Sequence, residues 1–291
     1  MFVPGWFGFE RSWLARAMKA VNQRPDIFAR ASLEDAQRHL GLGNQQVFAV
    51  EHWVQALGLV VKTSAGYSLS ASGAIVAEHD PQVEEMGTWY ALHYWLATTR
   101  RGSLAYWCAA NQMPPAFTRS ALQECIAREL PGKSLHTYTN HLRVFFAILH
   151  GTPIGNDMRL FTTDGETVRR RYIDTCSVPE AIAAYMLSDW AARNHRSTAS
   201  IAEIELPEAP GALMFMASGA VNQALDRIVE RYCGKVLWLS RTAGLNSIGF
   251  GNIPPLALLR SYYYENMMGV EPMKALEDSI RQQAAWTEVI S

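Results

Sequence analysis

The stretch Leu40-Gly41-Leu42-Gly43 decides how the first quarter of this chain is interpreted. Before it, residues 32–40 carry a helical pattern that begins at a capping serine, and the glycines end that helix in a sharp turn. After it, residues 44–57 place apolar side chains at helical spacing. Two short stretches, 59–63 and 66–69, then predict a β-hairpin.

A helix, a glycine turn, a second helix and a hairpin, in this order, are typical of a winged helix-turn-helix. Another amphipathic helix, over residues 12–21, precedes them, so the sequence predicts a winged-helix domain over residues 1–78. In such a domain the second helix of the turn pair enters the major groove of DNA, and the hairpin lies near the phosphates. Docking of a protein partner is the alternative use of the same domain.

The outer face of that second helix and the hairpin carry the first candidates for DNA contact. Amide side chains suit adenine edges, which offer a paired donor and acceptor, and cations suit phosphates. Glu51, on the same helix, opposes phosphate. The candidate residues are Asn44, Gln45, Gln46, His52, Gln55 and Lys62.

The rest of the chain changes character about halfway. Residues 79–150 carry helical patterns, and residues 86–98 are apolar all round, which is typical of a helix buried at the centre of a domain. Residues 151–291 mix helices with strands. The sequence therefore predicts a mainly α chain with small β-hairpins (α+β), made of the winged helix, a helical middle region (79–150) and a mixed C-terminal domain (151–291). A second winged-helix-like unit in the last part stays an option.

Asp164-Gly165 is the strongest short-range hairpin signal in the chain, and Arg169, Arg170 and Arg171 follow it directly. An unbroken cationic triplet is unusual in a chain with 18% charged residues. Arginines can also hold a phosphate through two parallel hydrogen bonds. The triplet is therefore a second candidate DNA contact, and a solvated charged face is its alternative.

Carboxylates are the candidates for chemistry, because phosphodiester hydrolysis usually uses a carboxylate-bound metal ion, here Mg²⁺ or Mn²⁺. Asp80 belongs to one acidic cluster, and Asp164 with Glu166 forms another. The turn alone explains Asp164, which favours a structural role for it. The histidines are not spaced as a zinc site, and no phosphate-binding loop or nucleophile elbow occurs. The residues by themselves assign neither a catalytic group nor a metal.

The formal net charge of −1 over 291 residues argues against a protein that coats nucleic acid by charge alone, so any DNA-binding face must be a local patch. Lack of a membrane-spanning apolar run and of a signal-peptide pattern predicts a cytoplasmic protein without a membrane partner. Widely spaced cysteines predict buried free thiols in a reducing compartment. These cysteines are Cys108, Cys125, Cys176 and Cys233.

Several blocks of the chain, in the right order, resemble the family called domain of unknown function 4007. The first block covers residues 40–47 with His52-Trp53 and residues 57–60, and a later one covers Asp80-Pro81 with residues 88–97. The resemblance spans most of the chain. Further blocks are Leu69 to Gly73, Tyr106-Trp107 with Asn111, Pro179 to Trp190, and Pro210 to Phe215.

The resemblance implies a role beside bacterial DNA phosphorothioation, a defence-associated replacement of backbone oxygen by sulfur. In the Ssp form of that system, a related protein is thought to nick DNA so that sulfur can be inserted. DNA binding and strand nicking are therefore expectations, with three protein partners: an ATP-pyrophosphatase-like sulfur transferase, a cysteine desulfurase and an ATPase. A non-enzymatic winged-helix adaptor or transcriptional regulator is the alternative.

Two departures from the family pattern bear on these expectations. The family commonly begins with Gly-His-Glu-Thr-Phe and a following Arg, where this chain has Val3-Pro4-Gly5-Trp6-Phe7 and Glu10. It also has Asn44 where a Lys is usual. The first departure removes any chemistry carried by the His-Glu pair, and the second weakens binding at that site if the family's Lys contacts phosphate. The missing pair and the near-zero net charge favour the adaptor.

Overall fold

The protein forms two compact units, Met1–Arg171 and Tyr172–Ser291. The structure, a computed structural model, describes residues 7–100, 102–173, 177–242 and 245–290. Helices dominate both units, and three small antiparallel sheets complete the described part. The predicted α+β class, mainly helical with small hairpins, is confirmed.

The first unit begins with helices and a two-stranded hairpin and ends with a three-stranded sheet. A short 3-10 turn, Arg30–Ser32, precedes the second helix. The helices are α1 (Arg11–Gln23), α2 (Leu33–Leu40), α3 (Asn44–Ala56), α4 (Ala71–His79), α5 (Met86–Thr98), α6 (Leu104–Asn111), α7 (Arg119–Glu129), α8 (Leu135–Gly151) and α9 (Pro153–Asn156). The strands are β1 (Val60–Thr63), β2 (Gly66–Leu69), β3 (Ala116–Thr118), β4 (Phe161–Asp164) and β5 (Thr167–Arg170).

The α2–α3 turn forms at the glycine pair, as predicted. Gly41 follows α2 with φ +62°, a left-handed conformation that a side chain makes costly. The Arg16 guanidinium, from α1, donates to the carbonyl of Leu40 and so satisfies one of the open carbonyls at this helix end. α3 then begins at Asn44 and runs to Ala56.

The β1–β2 hairpin packs against the loop after α1. Tyr67 donates its backbone N–H to the carbonyl of Pro25 at 2.7 Å. A Cβ on Gly66 would lie 2.4 Å from the same carbonyl oxygen, and Gly66 has φ +128°. Only glycine fits at this close approach.

α5 and α6 form the centre of the first unit. Trp89 and Tyr94 on α5 are fully buried, as predicted for a helix that is apolar all round. His93 is also buried, and its Nδ1 lies 2.7 Å from the hydroxyl of Tyr106 on α6. His93 is therefore a hydrogen-bonded core residue.

The predicted hairpin around Asp164-Gly165 is present as β4–β5, and β3 pairs with its second strand to give the order β3-β5-β4. This pairing ties residues 161–170 to the segment before α7, so the contacts divide the chain after Arg171. The finer division into domains at residues 78 and 150 stays a prediction.

The second unit combines helices with one three-stranded antiparallel sheet of order β6-β8-β7. Its helices are α10 (Glu180–Arg193), α11 (Ile201–Ile204), α12 (Pro210–Leu213), α13 (Ser218–Arg231), α14 (Pro255–Met268) and α15 (Pro272–Ile290). Its strands are β6 (Thr198–Ser200), β7 (Leu237–Thr242) and β8 (Leu245–Phe250).

A buried acid ties α13 to α14 in the second unit. Glu265 accepts hydrogen bonds from the guanidinium of Arg231 and, at 2.9 Å, from the hydroxyl of Tyr232. Burial, with the Glu265 carboxylate beside it, raises the pKa of Tyr232 above its usual value. The hydroxyl therefore stays protonated and serves as a donor.

Two of the four cysteines match the expectation of buried thiols. Cys108 and Cys125 are buried and free. Cys233 is exposed, so that expectation is wrong for this residue, which has φ +49° at the end of α13. Cys176 lies outside the described residues. In the part of the chain that the structure covers, every helix is too short or too polar to cross a membrane.

Candidate nucleic-acid interface

A groove of about 770 Å³ lies between α3 and the β1–β2 hairpin, and we call it the α3–hairpin groove. One wall is a single face of α3, because its lining residues recur at helical spacing. The other wall is the hairpin with the loop around Phe28. The volume falls within the roughly 300–1,000 Å³ of ligand pockets. The lining residues are Phe28, Ala29, Arg30, Gln45, Phe48, Glu51, His52, Gln55, Lys62, Thr63, Ser64, Gly66 and Tyr67.

A hydrogen bond at the floor of the groove joins its two walls. The Tyr67 hydroxyl, on the hairpin, donates to Oε1 of Glu51 on α3. Burial raises the pKa of Tyr67, and the neighbouring Glu51 carboxylate raises it further. The phenol therefore stays protonated and keeps donating. The Glu51 carboxylate places one negative charge in the groove.

Lys62 brings a positive charge to the hairpin wall. It is exposed, and its Nζ lies 5.6 Å from the centre of the Tyr67 ring. Arg30 is a second exposed cation on the groove, and it comes from the loop before α2. Two cations therefore face one carboxylate, which leaves the groove with an excess of positive charge.

The four predicted amide contacts of α3 lie in different environments. Asn44 and Gln45 are exposed, and Gln45 lines the groove. Gln46 points back to the turn, where its Oε1 accepts a hydrogen bond from Gly43 N–H at 2.9 Å and so caps the helix. Gln55 lines the groove and donates to the backbone carbonyl of Glu51 at 3.0 Å.

His52 lines the groove but is held by the loop before α6. Its Nε2 lies 3.0 Å from the carbonyl of Gly102 and therefore carries the hydrogen of that bond. Burial lowers the pKa of His52, so its ring is neutral at neutral pH. Its DNA contact stays a prediction, and a neutral ring would offer no charge to a phosphate.

The arginine triplet is divided by the alternation of strand β5. Arg170 points inward and donates to the backbone carbonyl of Met113, whereas Arg169 and Arg171 are exposed. Arg169 lies opposite Thr162 of β4 and Ala116 of β3. Phosphate contact by the exposed Arg169 and Arg171 stays a prediction, and Arg170 holds the sheet to the loop after α6.

Asp164 and Glu166 lie at the tip of the β4–β5 hairpin and are both exposed. Asp164 pairs with Thr167 in the strand register, and Gly165 between the two acids has φ +57°. Glu166 accepts a hydrogen bond from the N–H of Arg119 through its backbone carbonyl at 3.1 Å. The turn accounts for both positions, and catalytic roles for these acids stay predictions.

Asp80 is 4% exposed and serves as an acceptor inside the first unit. Its Oδ1 accepts from the N–H of Glu84 at 2.7 Å, and its Oδ2 accepts from the N–H of Glu85 at 3.0 Å. The hydroxyl of Thr88 also donates to Oδ2, at 2.7 Å. These bonds stabilise the start of α5, and they leave a catalytic role for Asp80 a prediction.

Among the described residues, these acids do not form a metal centre. Within the ranges that the structure describes, no three His, Cys, Asp or Glu side chains lie close enough together to hold a metal ion. The donor set in this part of the chain therefore does not fit Mg²⁺ or Mn²⁺, and we derive no step through either ion.

The N-terminal departure from the family pattern is only partly described. Residues Val3 to Trp6 lie outside the described residues. Phe7 accepts a hydrogen bond from the indole of Trp53 at 3.1 Å through its backbone carbonyl. Glu10 precedes α1, and its carbonyl accepts from Trp13 N–H at 3.0 Å. Both described residues act structurally through their backbones.

Nine of the thirteen groove residues are not among the sequence candidates, including Phe28, Arg30 and Tyr67. Phe28 and Arg30 come from the loop between α1 and α2, which reaches the groove only after the chain folds. Tyr67 is the one buried residue of β2 and lies between half-buried neighbours, which is typical of an inward position on a strand.

The fold and the groove define a class: a two-unit α+β protein whose first unit places two helices, joined by a glycine turn, beside a hairpin. The family described as "Protein of unknown function (DUF4007)" matches residues 6–141. This match contains α1 to α7 and all residues of the α3–hairpin groove. The resemblance seen in the sequence is therefore confirmed for this region.

Two solved structures share the fold over nearly the whole chain. A crystal structure of SspB with bound magnesium ion is 20% identical, with a TM-score of 0.76 and 95% of each chain covered. A second SspB crystal structure is 22% identical with the same TM-score, covering 97% of this chain and 93% of the other. A comparison with curated protein sequences finds no significant match.

Proposed function

We propose that this protein is a DNA-binding component of a bacterial DNA phosphorothioation system, and that its N-terminal module works as a winged helix on duplex DNA. The observation that carries the proposal is the α3–hairpin groove. α3 exposes Asn44 at its first residue and Gln45 along one wall, and the hairpin brings Lys62 to the other wall. Amides on a helix and a cation on the adjacent hairpin suit base edges and phosphates respectively.

The pathway part of the proposal draws support from the family. Residues 6–141 match the DUF4007 family, and the chain shares the fold of the two SspB structures. In such a system the protein would position DNA for a sulfur transferase, a cysteine desulfurase and an ATPase. It would do so in the cytoplasm, where its DNA substrate is.

Fluorescence anisotropy with a labelled duplex, repeated over a salt series, tests DNA binding. We expect Gln45→Ala with Gln55→Ala to weaken binding several-fold, because the groove loses two amides. The matched control is Gln23→Ala, an exposed glutamine at the end of α1. Equal affinity of the double variant and the control, with both folded, would show that this helix does not contact DNA.

Strand nicking is the second part of the proposal, and it rests on the family resemblance. Conversion of supercoiled plasmid to open-circular product, with Mg²⁺ or Mn²⁺ present, measures it directly. Asp164→Asn with Glu166→Gln removes the exposed candidate acids without breaking the turn. No open-circular product at high concentrations of the wild-type protein, with either metal, would remove the enzymatic part and leave DNA binding to stand.

A protein-docking adaptor is the competing function, and one feature of the groove favours it. Glu51 places a carboxylate between the walls, and Phe28, Phe48 and Tyr67 supply apolar surface. The salt series separates the two functions. Phosphate contacts release counterions, so real DNA binding weakens steeply with salt, whereas an adaptor would bind duplex DNA weakly or not at all.

A further inference from the structure

One order of elements occurs three times along this chain. In the first unit, α6, β3, α7 and α8 lead into the β4–β5 hairpin, and in the second unit, α10, β6, α11 to α13 lead into the β7–β8 hairpin. Both sheets have the same order, with the leading strand beside the second hairpin strand: β3-β5-β4 and β6-β8-β7. The segment from α1 to the β1–β2 hairpin repeats this order, with the carbonyl of Pro25 in place of the leading strand.

α3 and α8 therefore hold similar places: α3 directly precedes its hairpin, and α8 is separated from its hairpin by the one-turn helix α9. Their exposed faces also have the same spacing when the helices are aligned on their first residues. Five α3 residues line the groove, and for four of them neither the α3 residue nor its α8 equivalent is buried; the exception is Glu51, whose α8 equivalent, Leu142, is buried. The α3 positions are Gln45, Phe48, His52 and Gln55, and the α8 positions are His136, Thr139, Arg143 and Phe146.

The exposed face of α8 is suited to a polyanion. α8 has no Asp or Glu among its 17 residues, and Arg143 is exposed on it. The guanidinium of Arg119 lies 4.3 Å from the centre of the Phe146 ring, one turn from Arg143, so a second cation shares this face. The side chains of His136 and Asn140 lie 3.1 Å apart on the same helix and offer polar groups to base edges.

The third helix in this place has the opposite charge. In α13 the position equivalent to Arg143 is Asp226, which is exposed and pairs with Arg241 of β7 at 2.7 Å. A carboxylate at this place repels phosphate. The repeated topology therefore distinguishes one helix that fits DNA from one that does not.

We propose that α8 is a second DNA-contacting helix, with Arg119 and Arg143 on the phosphates of duplex DNA and with His136 and Asn140 towards its bases. The proposal rests on the proposed function, since it adds a contact to a DNA-binding protein. The adjacent hairpin has an acidic tip, Asp164 and Glu166, and its exposed cations, Arg169 and Arg171, lie at the other end of β5.

Duplex binding of the full chain, measured by anisotropy from low to high salt, tests α8. Arg119→Ala with Arg143→Ala should weaken binding about tenfold or more at low salt and reduce the slope of log Kd against log salt by about 2, because each phosphate contact contributes about 0.9 to that slope. Arg143→Lys keeps the charge and should keep the slope. The control is Arg281→Ala on α15, whose side chain is 74% exposed.

Each outcome of this experiment decides the proposal. An unchanged slope in the folded double variant, together with weaker binding of Gln45→Ala with Gln55→Ala, overturns the role of α8 and leaves the DNA-binding function in place. No duplex binding by the wild-type chain, even at low salt, overturns both. A lower slope in the double variant, with the control unchanged, supports α8.

Discussion

The two units of this protein repeat one topology with opposite charge. Residues 1–171 contain 17 Lys and Arg against 14 Asp and Glu, whereas residues 172–291 contain 9 against 13. The first unit also has seven of the eight histidines. We expect that the order of helices and strands does not select a ligand, and that side chains at equivalent positions, such as Arg143 and Asp226, make that selection.

The largest expected effect is a loss of stability in the first unit when its buried acid, Asp80, is replaced. Asp80→Ala removes the acceptor of three donors in the first unit, of which the Thr88 hydroxyl is buried and the other two are partly buried, and should lower the free energy of unfolding by about 3 kcal/mol. Urea denaturation should show the loss in one transition, with the transition of residues 172–291 unmoved. Asp164→Ala, at an exposed turn, is the control and should change stability by less than about 0.5 kcal/mol.

An equal loss in Asp80→Ala and Asp164→Ala would contradict the structural role of Asp80. A large loss in both transitions would show that the two units unfold together, which would end their comparison as separate bodies.

Acid should weaken the first unit more than the second. Burial lowers the pKa of His141 on α8 to about 4, while the unfolded chain has a histidine near pH 6.5. The unfolded state therefore binds a proton that the folded state excludes, so stability is full above about pH 6.5 and is lost as the pH falls towards 4. The loss should reach about 2 to 3 kcal/mol. Thermal unfolding at pH 7 and pH 4.5 measures it.

His141→Gln should remove much of this acid dependence, because glutamine does not titrate. His195→Gln, at an exposed position in the second unit, should leave it unchanged. If both variants keep the wild-type dependence, carboxylates rather than His141 cause the loss.

A charge reversal tests the equivalent helix positions directly. Arg143→Asp gives α8 the residue that α13 has at this place, and we expect about tenfold weaker duplex binding, which corresponds to about 1.4 kcal/mol. Asp226→Arg removes the acidic partner of Arg241 and should change the affinity by less than about twofold, because the α13 cations Arg227 and Arg231 are held by Glu180 and Glu265. Fluorescence anisotropy at low salt measures the duplex affinity of both variants. Similar effects of the two variants would mean that net charge, and not position, governs binding.

The smallest effect separates two neighbouring glutamines of α3. Gln46→Ala loses the cap on Gly43 N–H and should lower stability by about 0.5 to 1 kcal/mol without weakening DNA binding. Gln45→Ala should do the reverse, with a few-fold loss of affinity and unchanged thermal unfolding. The reverse pattern would place Gln46, and not Gln45, at the DNA.

Local patterns made most of the first unit predictable. The helical spacing of α1, α3 and α5 and the Asp164-Gly165 turn are signals that lie within one element. β3 and β6 were not predicted, since each has three residues and its strand partner lies far along the chain. The threefold order of elements was invisible for a similar reason, because the repeats share a topology rather than residues.

The candidate site was predictable only in its α3 wall. The spacing on α3 indicates its outer face, but the loop with Phe28 and Arg30 reaches the groove through tertiary contacts that no local pattern shows. The partner of His52 is Gly102, fifty residues later, so its hydrogen bond could not be anticipated. The cap by Gln46 did have a signal, as glutamine is favoured three residues after a helix N-cap.

A single backbone hydrogen bond, from Tyr67 N–H to the carbonyl of Pro25, stands where the other two hairpins have a third strand. This difference affects how easily the β1–β2 hairpin opens. The β1–β2 hairpin is two-stranded in the described chain, whereas the other two hairpins each have a third strand. Two-stranded ribbons are marginally stable by themselves, and their backbone amides open at low cost. Amide hydrogens of β1 and β2 should therefore exchange with deuterium sooner than those of β5 and β8. The groove would then widen by local opening of its hairpin wall, while α3 keeps its place.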